Sequence, residues 1–306
     1  MKYFYSKRYD FGGGLPLNDV HGFVLDRPTR TRDALVARHG VAADAFVEAA
    51  PVDVADLAAV HEAALVAALQ RSGGIAQAVE LPLLRLLPDF LARRAVLAPQ
   101  LAAAGGTRDA LAHAVDGGWA INLAGGFHHA RPDRAHGFCL LNDVALAIHA
   151  LRARGVRPRV AIVDLDAHQG DGNAAAFADD ADVFTLSVHE RGLFPHPKLV
   201  SSVDVGLYAG TDDDGFAEAV EAGLAALRKM VTPDVVIYVA GVDPHVDDPL
   251  SSLRVSAAGL VRRDARVARF AKDAGAGLVV VPAGGYTRAS PLLSAGGMAA
   301  IAALAP

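Results

Sequence analysis

The sequence is poor in the residues that stabilise small secreted proteins and in those that read nucleic acids. It has one cysteine, Cys139, one tryptophan and three methionines in 306 residues, and its aromatic content is 6%. A single thiol can form no intramolecular disulfide and no multi-thiolate metal centre, so a metal here would need His and carboxylate ligands, as suits a reducing compartment. No sign of charge dominates: 29 Lys and Arg stand against 34 Asp and Glu, a net charge of -5. That field attracts no polyanion, and a nucleic-acid partner is not expected. Met1 to Asp10 has no unbroken apolar run of the kind a signal peptide carries, so a cytoplasmic protein is expected. The uncharged stretch after Arg288 is long enough to raise the membrane question. With Ser290, Pro291 and Ser294 inside it, it reads as a buried helix, and no membrane partner is expected.

The sequence is rich in hydrophobic residues, at 52%, and in glycine, with 30. Short β-branched runs at 118–123, 159–164, 182–188, 234–239 and 277–282 alternate with helical stretches that include 140–154, 212–230 and 256–274. Strands apolar throughout their centres, spaced by helices, predict an α/β fold with a central, mostly parallel sheet covered on both faces. Ser256 is placed to cap the last of these helices, and Gly275 to end it. The first third reads as mostly helical, near 31–39, 54–70 and 89–104, and is expected to pack on the sheet. With no Ser/Pro-rich linker and no repeat, one domain over 1–306 is expected.

In open parallel sheets ligands gather at the carboxyl ends of the strands. Four strand ends here lead into polar residues: Gly125-Gly126-Phe127-His128-His129, Asp164-Leu165-Asp166-Ala167-His168-Gln169-Gly170-Asp171, Gly241-Val242-Asp243 and Gly284-Gly285-Tyr286. Asp166 and His168, two apart in extended chain, project to one side and suit one ion. Asp243 supplies a third ligand. Three protein ligands with open positions mark a catalytic zinc site, although Fe(II) accepts the same set. A lone Asp-x-His is more often a surface acid beside a core His; what reverses the odds is its company. The far nitrogens of His128 and His129 can pair with Asp164 or Asp171, which would fix their tautomers. Tyr286, on a Gly-Gly turn, can donate to an oxygen that gains charge when water attacks a carbonyl.

These segments, together with Gly137-Phe138-Cys139-Leu140-Leu141-Asn142-Asp143, resemble the zinc-dependent histone deacetylase family in order and spacing. Tyr5-Ser6-Lys7-Arg8-Tyr9, Leu87-Pro88-Asp89-Phe90-Leu91 and Gly118-Trp119-Ala120-Ile121-Asn122 look most like its compact class IV branch and bacterial relatives. The resemblance implies the arginase-deacetylase fold and hydrolysis, by metal-activated water, of an acyl-lysine protein or a small acylated amine. It implies zinc on Asp166, His168 and Asp243, and His129 as general base. It makes His128 mainly electrostatic, with Asp164 and Asp171 orienting the two imidazoles and Tyr286 polarising the carbonyl. Phe138 and Phe194 would wall a substrate tunnel, and Gly137 would offer its carbonyl to the substrate amide. A structural K+ or Na+ would rest on Asp164, Asp166, His168, Ser187 and Val188.

The sequence also departs from the family pattern. The stretch from His189 to Phe194 is short, and Ala283 stands where a further glycine is usual. No residue from Glu80 to Asp89 clearly matches the rim aspartate of class I members. An arginase-like two-metal site would need a second carboxylate near Asp243, but positions 241 and 245 are Gly and His. An acetylpolyamine hydrolase would carry an acid where this chain has Leu250, although Asp247 and Asp248 are close. A non-catalytic acyl-lysine reader would not need His128, His129 and Tyr286 intact.

Overall fold

The structure is a computed structural model that describes residues 1–13 and 24–306. Among them one sheet of eight strands runs in the order β2-β1-β3-β8-β7-β4-β5-β6, every pair parallel. The strands are β1 (Lys2–Phe4), β2 (Phe46–Val47), β3 (Trp119–Asn122), β4 (Val160–Asp164), β5 (Val183–Glu190), β6 (Val203–Leu207), β7 (Val235–Val239) and β8 (Gly277–Val281). The five strands expected from the apolar runs are β3, β4, β5, β7 and β8. The other three are short or, like β6, only half buried, and so lack the continuous apolar signal.

Alternate residues of each strand face opposite layers. Val163, Tyr238 and Val280 pack with helices α1 (Arg27–His39), α8 (Asp213–Met230), α9 (Ala257–Asp273) and α10 (Ser290–Ala302), through Leu35, Phe216, Leu260 and Met298. Ile162, Ile237 and Val279 pack with α5 (Ala98–Ala114) and α6 (Asp143–Ala153), through Leu111 and Ile148. Ser256 caps α9 by accepting the Gly259 amide at 3.0 Å, and Gly275 follows its end with φ +66°.

The expectation that the whole helical first third lies on the sheet needs correction. Residues 52–97, with α2 (Ala63–Ala68), α3 (Ser72–Ala78) and α4 (Asp89–Ala92), form a separate apolar cluster with Leu101, Leu140, Leu141 and Leu146 that contains no strand residue. The two sheet faces are already covered by other helices. The stretch read as a helix over 54–70 is a 3-10 turn, Val54–Ala59, followed by α2. A π-helical turn, Arg93–Leu97, joins α4 to α5 just before Pro99. Proline has no amide to give the carbonyl of Ala95, and that carbonyl takes the Gly12 amide instead, at 2.8 Å.

Candidate active site

β3, β8, β7 and β4 are neighbours in the sheet, so the four polar segments after them meet at one edge. Asp166 and His168 follow β4, and Asp243 follows β7. One ligand atom from each lies within 4.8 Å of the others, and all three residues are buried. Nδ1 of His168 is 3.0 Å from Oδ2 of Asp243 and 3.2 Å from Oδ1 of Asp166. The outer oxygens accept backbone amides, Gly284 on Asp166 at 2.8 Å and Ala167 on Asp243 at 2.9 Å. Glycine at 284 is required here: a Cβ would stand 2.5 Å from a carboxylate oxygen of both Asp166 and Asp243.

The field at this point calls for positive charge. Burial alone would discharge His168, yet the two carboxylates raise its imidazolium to about 10. Burial and the adjacent Asp166 push Asp243 up to about 7. Two buried carboxylates and an imidazole converging with so strong a demand for a cation fit a divalent metal.

Beside the triad the His pair divides its labour. Nδ1 of His128 lies 2.8 Å from Asp164, and its Nε2 lies 3.7 Å from Asp166. Although burial opposes it, these carboxylates lift His128 to about 9, which favours the imidazolium. His129 contacts Asp171 through Nδ1 at 2.8 Å, but burial and the charge on His128 depress it to about 3. It is therefore neutral: Nδ1 donates to Asp171, and Nε2 keeps a lone pair. The two rings are 4.0 Å apart.

The Phe194 ring packs edge-on against His129, at 4.9 Å between centroids, and against His136 at 5.0 Å. Phe138 stands 5.8 Å from the Tyr286 ring. Gly137 and Phe138 both have positive φ, +55° and +66°, and a Cβ at 137 would lie 2.5 Å from the His129 ring. Leu250 is half-buried; it is not among the residues around the chamber described next. Ser187, next to Val188 in β5, pairs in register with Asp164 and bonds the His189 ring at 2.9 Å.

A cavity of about 150 Å³ adjoins the His pair. His128, His129, Tyr286 and Phe138 line it together with the apolar side chains of Val79, Leu84 and Val96. Ala283, on its wall, has φ +43°, strain that glycine would not carry. It is clamped by the Gly125 carbonyl, which accepts its amide at 3.1 Å, and by Arg27, whose Nη1 donates to its carbonyl at 2.8 Å.

Comparison with known proteins agrees with this geometry. A family model described as the histone deacetylase domain matches residues 21–301. The chain belongs to the histone deacetylase family. Histone deacetylase 2 of Arabidopsis thaliana is 33% identical over 94% of this chain and 74% of its own length. An uncharacterized protein of Picosynechococcus is 45% identical over 61% of this chain, and the match spans less than two thirds of that relative, 63%. A solved histone deacetylase homolog complexed with SAHA superposes with TM-score 0.76 and 26% identity, over 98% of this chain and 82% of its own. Acetylpolyamine aminohydrolase from Burkholderia pseudomallei, 23% identical with TM-score 0.78 over 99% of both chains, shares the fold. The parallel sheet with helices on both faces is that of these neighbours.

Sequence reasoning missed several residues that shape the deacetylase site. His136, 3.0 Å from Asp171, is a second imidazole on the carboxylate that orients His129. It directly precedes the Gly137-Phe138 motif, a signal that could have found it. Gln100 donates to the Phe138 carbonyl at 2.8 Å and accepts the Leu140 amide at 2.9 Å, holding the strained turn. Asp143 accepts the amides of Gly126 and Phe127, at 3.0 and 2.7 Å, and the Thr107 hydroxyl at 2.6 Å, and so fixes the turn before His128. Gln100 and Asp143 look like helix residues in the sequence, and only tertiary contact reveals their work.

Proposed function

We propose that this deacetylase-family chain hydrolyses the amide of acyl-lysine side chains, with small acylated amines as the alternative substrate class. The observation that carries the reading is the buried Asp166–His168–Asp243 triad beside a neutral His129 held by Asp171. A zinc-class ion on those three ligands would supply Lewis acidity that polarises the carbonyl and acidifies the attacking water. His129 takes the water's proton at Nε2 as general base and returns it to the leaving lysine amine. The His128 cation stabilises the negative charge that gathers on the reacting centre. The Tyr286 hydroxyl donates to the carbonyl oxygen as it becomes an oxyanion, and the Gly137 carbonyl accepts the substrate N–H.

Phe138 and Phe194 enclose the lysine methylenes, and the acyl group enters the chamber lined by Val79, Leu84 and Val96. Cavities of about this volume hold a benzene-sized guest, so acyl chains of up to roughly six carbons are accommodated. A structural K+ or Na+ would rest on Asp164, Asp166, His168, Ser187 and Val188. The protein works in the cytoplasm as a single domain; among the described residues no helix is long and apolar enough to cross a membrane.

An acetylpolyamine would bring a secondary ammonium into the tunnel, and burying that charge without a carboxylate costs several kcal/mol, of the order of 3. Leu250 offers none. The Asp248 carboxylate is buried, and both its oxygens accept backbone amides, which supports lysine over polyamine. Comparing kcat/KM on acetyl-lysine peptide, hexanoyl-lysine peptide and acetylspermidine tests the proposal. No hydrolysis of any of them by the metal-loaded protein refutes it, and a preference for the polyamine refutes the lysine assignment.

A further inference from the structure

Asp248 lies beyond the metal ligand Asp243 on the same loop, and no role in the reaction follows from its sequence position. Asp248 is 5% exposed. A buried carboxylate is costly unless donors meet it. Oδ1 accepts the amide of Leu250 at 3.0 Å, a local turn, while Oδ2 accepts the amide of Tyr286 at 2.8 Å, from a different loop. Other bonds hold the turn on either side of the tyrosine: Arg27 and Gly125 clamp Ala283, and the Thr287 amide donates to Ser290 Oγ at 3.0 Å. Before the tyrosine, Gly284 donates to the metal-ligand carboxylate of Asp166 at 2.8 Å, and its carbonyl accepts Val242 at 2.9 Å. At the tyrosine's own amide the acceptor is Asp248.

The loop that carries Asp248 is anchored in turn. His245 donates its amide to Val242 at 3.2 Å, Asp248 donates to His245 at 2.9 Å, and the Val246 amide reaches Val255 at 2.9 Å. One carboxylate therefore links a braced segment, which already contains Asp243, to the backbone of the proposed oxyanion donor.

We propose that Asp248 is a positioning residue that sets the Tyr286 hydroxyl against the reacting carbonyl by fixing the tyrosine's backbone to the metal-ligand loop. This rests on the reading of Tyr286 as the oxyanion donor. A hydrogen bond worth most in the transition state depends on sub-ångström placement, and a misplacement of about 1 Å costs about a hundredfold. Both Asp248 oxygens accept backbone amides and so act through the loops, and its loss is expected in kcat and not in KM.

The test is a double-mutant cycle on an acyl-lysine peptide, with Asp248→Ala and Asp248→Asn each made in the parent and in Tyr286→Phe. Asp248→Ala is expected to lower kcat by about a hundredfold with KM changed less than about twofold. Asp248→Asn, which keeps one acceptor oxygen, recovers part of that loss. In the Tyr286→Phe background neither substitution lowers kcat further. Amide exchange gives a readout independent of turnover: the Tyr286 N–H exchanges faster in Asp248→Ala while metal content stays at the parent value. The proposal is overturned if the losses multiply in the double variant, if Asp248→Ala keeps parental kcat, or if the Tyr286 amide stays protected. A Tyr286→Phe protein as active as the parent instead refutes the oxyanion role, and amide exchange then decides separately whether Asp248 holds the turn. Should Asp248→Ala fail to fold, the near-isosteric Asn variant carries the same cycle.

Discussion

Leu84 is the residue through which the acyl preference can be changed without touching the chemistry. It sits in the 3-10 turn Pro82–Leu86, is 4% exposed, and is one of the apolar side chains lining the chamber. A hexanoyl group carries four methylenes more than an acetyl group. At about 0.8 kcal/mol per buried methylene their full burial favours hexanoyl by about 3 kcal/mol, roughly two hundredfold in kcat/KM. Leu84→Phe fills part of that space. If it excludes two or three methylenes, kcat/KM on hexanoyl-lysine falls roughly 15- to 60-fold, while acetyl-lysine, which lacks those methylenes, changes less than about twofold. The assay is kcat/KM on acetyl-, butyryl- and hexanoyl-lysine in one peptide, with thermal unfolding of the variant as a check on overpacking, which costs about 1–3 kcal/mol. A parent whose kcat/KM does not rise with chain length, or a variant that loses acetyl and hexanoyl activity equally, refutes the chamber as the acyl site.

Chelation should abolish activity, and one zinc-class ion per chain should restore it; metal analysis showing two tightly held catalytic ions would refute the single Asp166–His168–Asp243 site. Tyr286→Phe should lower kcat by about a hundredfold to a thousandfold with little change in KM, as measured by steady-state kinetics. Leu250→Glu should shift kcat/KM from acyl-lysine toward acetylated polyamines, and an unchanged ratio would remove Leu250 from the tunnel mouth. Asp180 is held below the usual carboxylate range by its hydrogen bond to Arg152. A carboxyl depressed on folding stabilises at pH above its unfolded value of about 3.9 and loses that contribution as pH falls through the folded value. Asp180→Asn should therefore lower Tm at pH 7 and lower it much less near pH 3, as followed by circular dichroism.

The parts of the site that repeat local chemistry were legible in the sequence. Asp166 and His168 sit two apart, and each His of the 128–129 pair found an acid, because strand geometry and strand ends dictate them. The five buried strands were legible for the same reason. Residues whose work is done across the fold were not. Gln100, Asp143 and Asp248 each serve a loop distant in the chain, and no periodicity encodes a partner tens of residues away. The opposite shifts of His128 and His129 were equally hidden, since they follow from which ring faces two carboxylates and from the charge that ring then sets beside its neighbour. The helix expected over 54–70 broke where composition outran geometry: Ala and Leu favour helix, yet the Asp53 cap and its partner Asp56 wind a 3-10 turn instead.

The three candidate metal ligands follow β4 and β7, adjacent strands far apart in the chain, and Gly284 after β8 donates to one of them. Such a site cannot exist in a partly made sheet. An ion that prefers it binds the native state and not the unfolded chain, so each tenfold excess of free ion over its dissociation constant adds about 1.4 kcal/mol to folding stability. The high contact order of an all-parallel sheet slows its assembly, and a chain starved of metal would stay longer in states that expose bare strand edges. Metal supply would then govern how much folded protein a cell accumulates as well as how fast each molecule turns over.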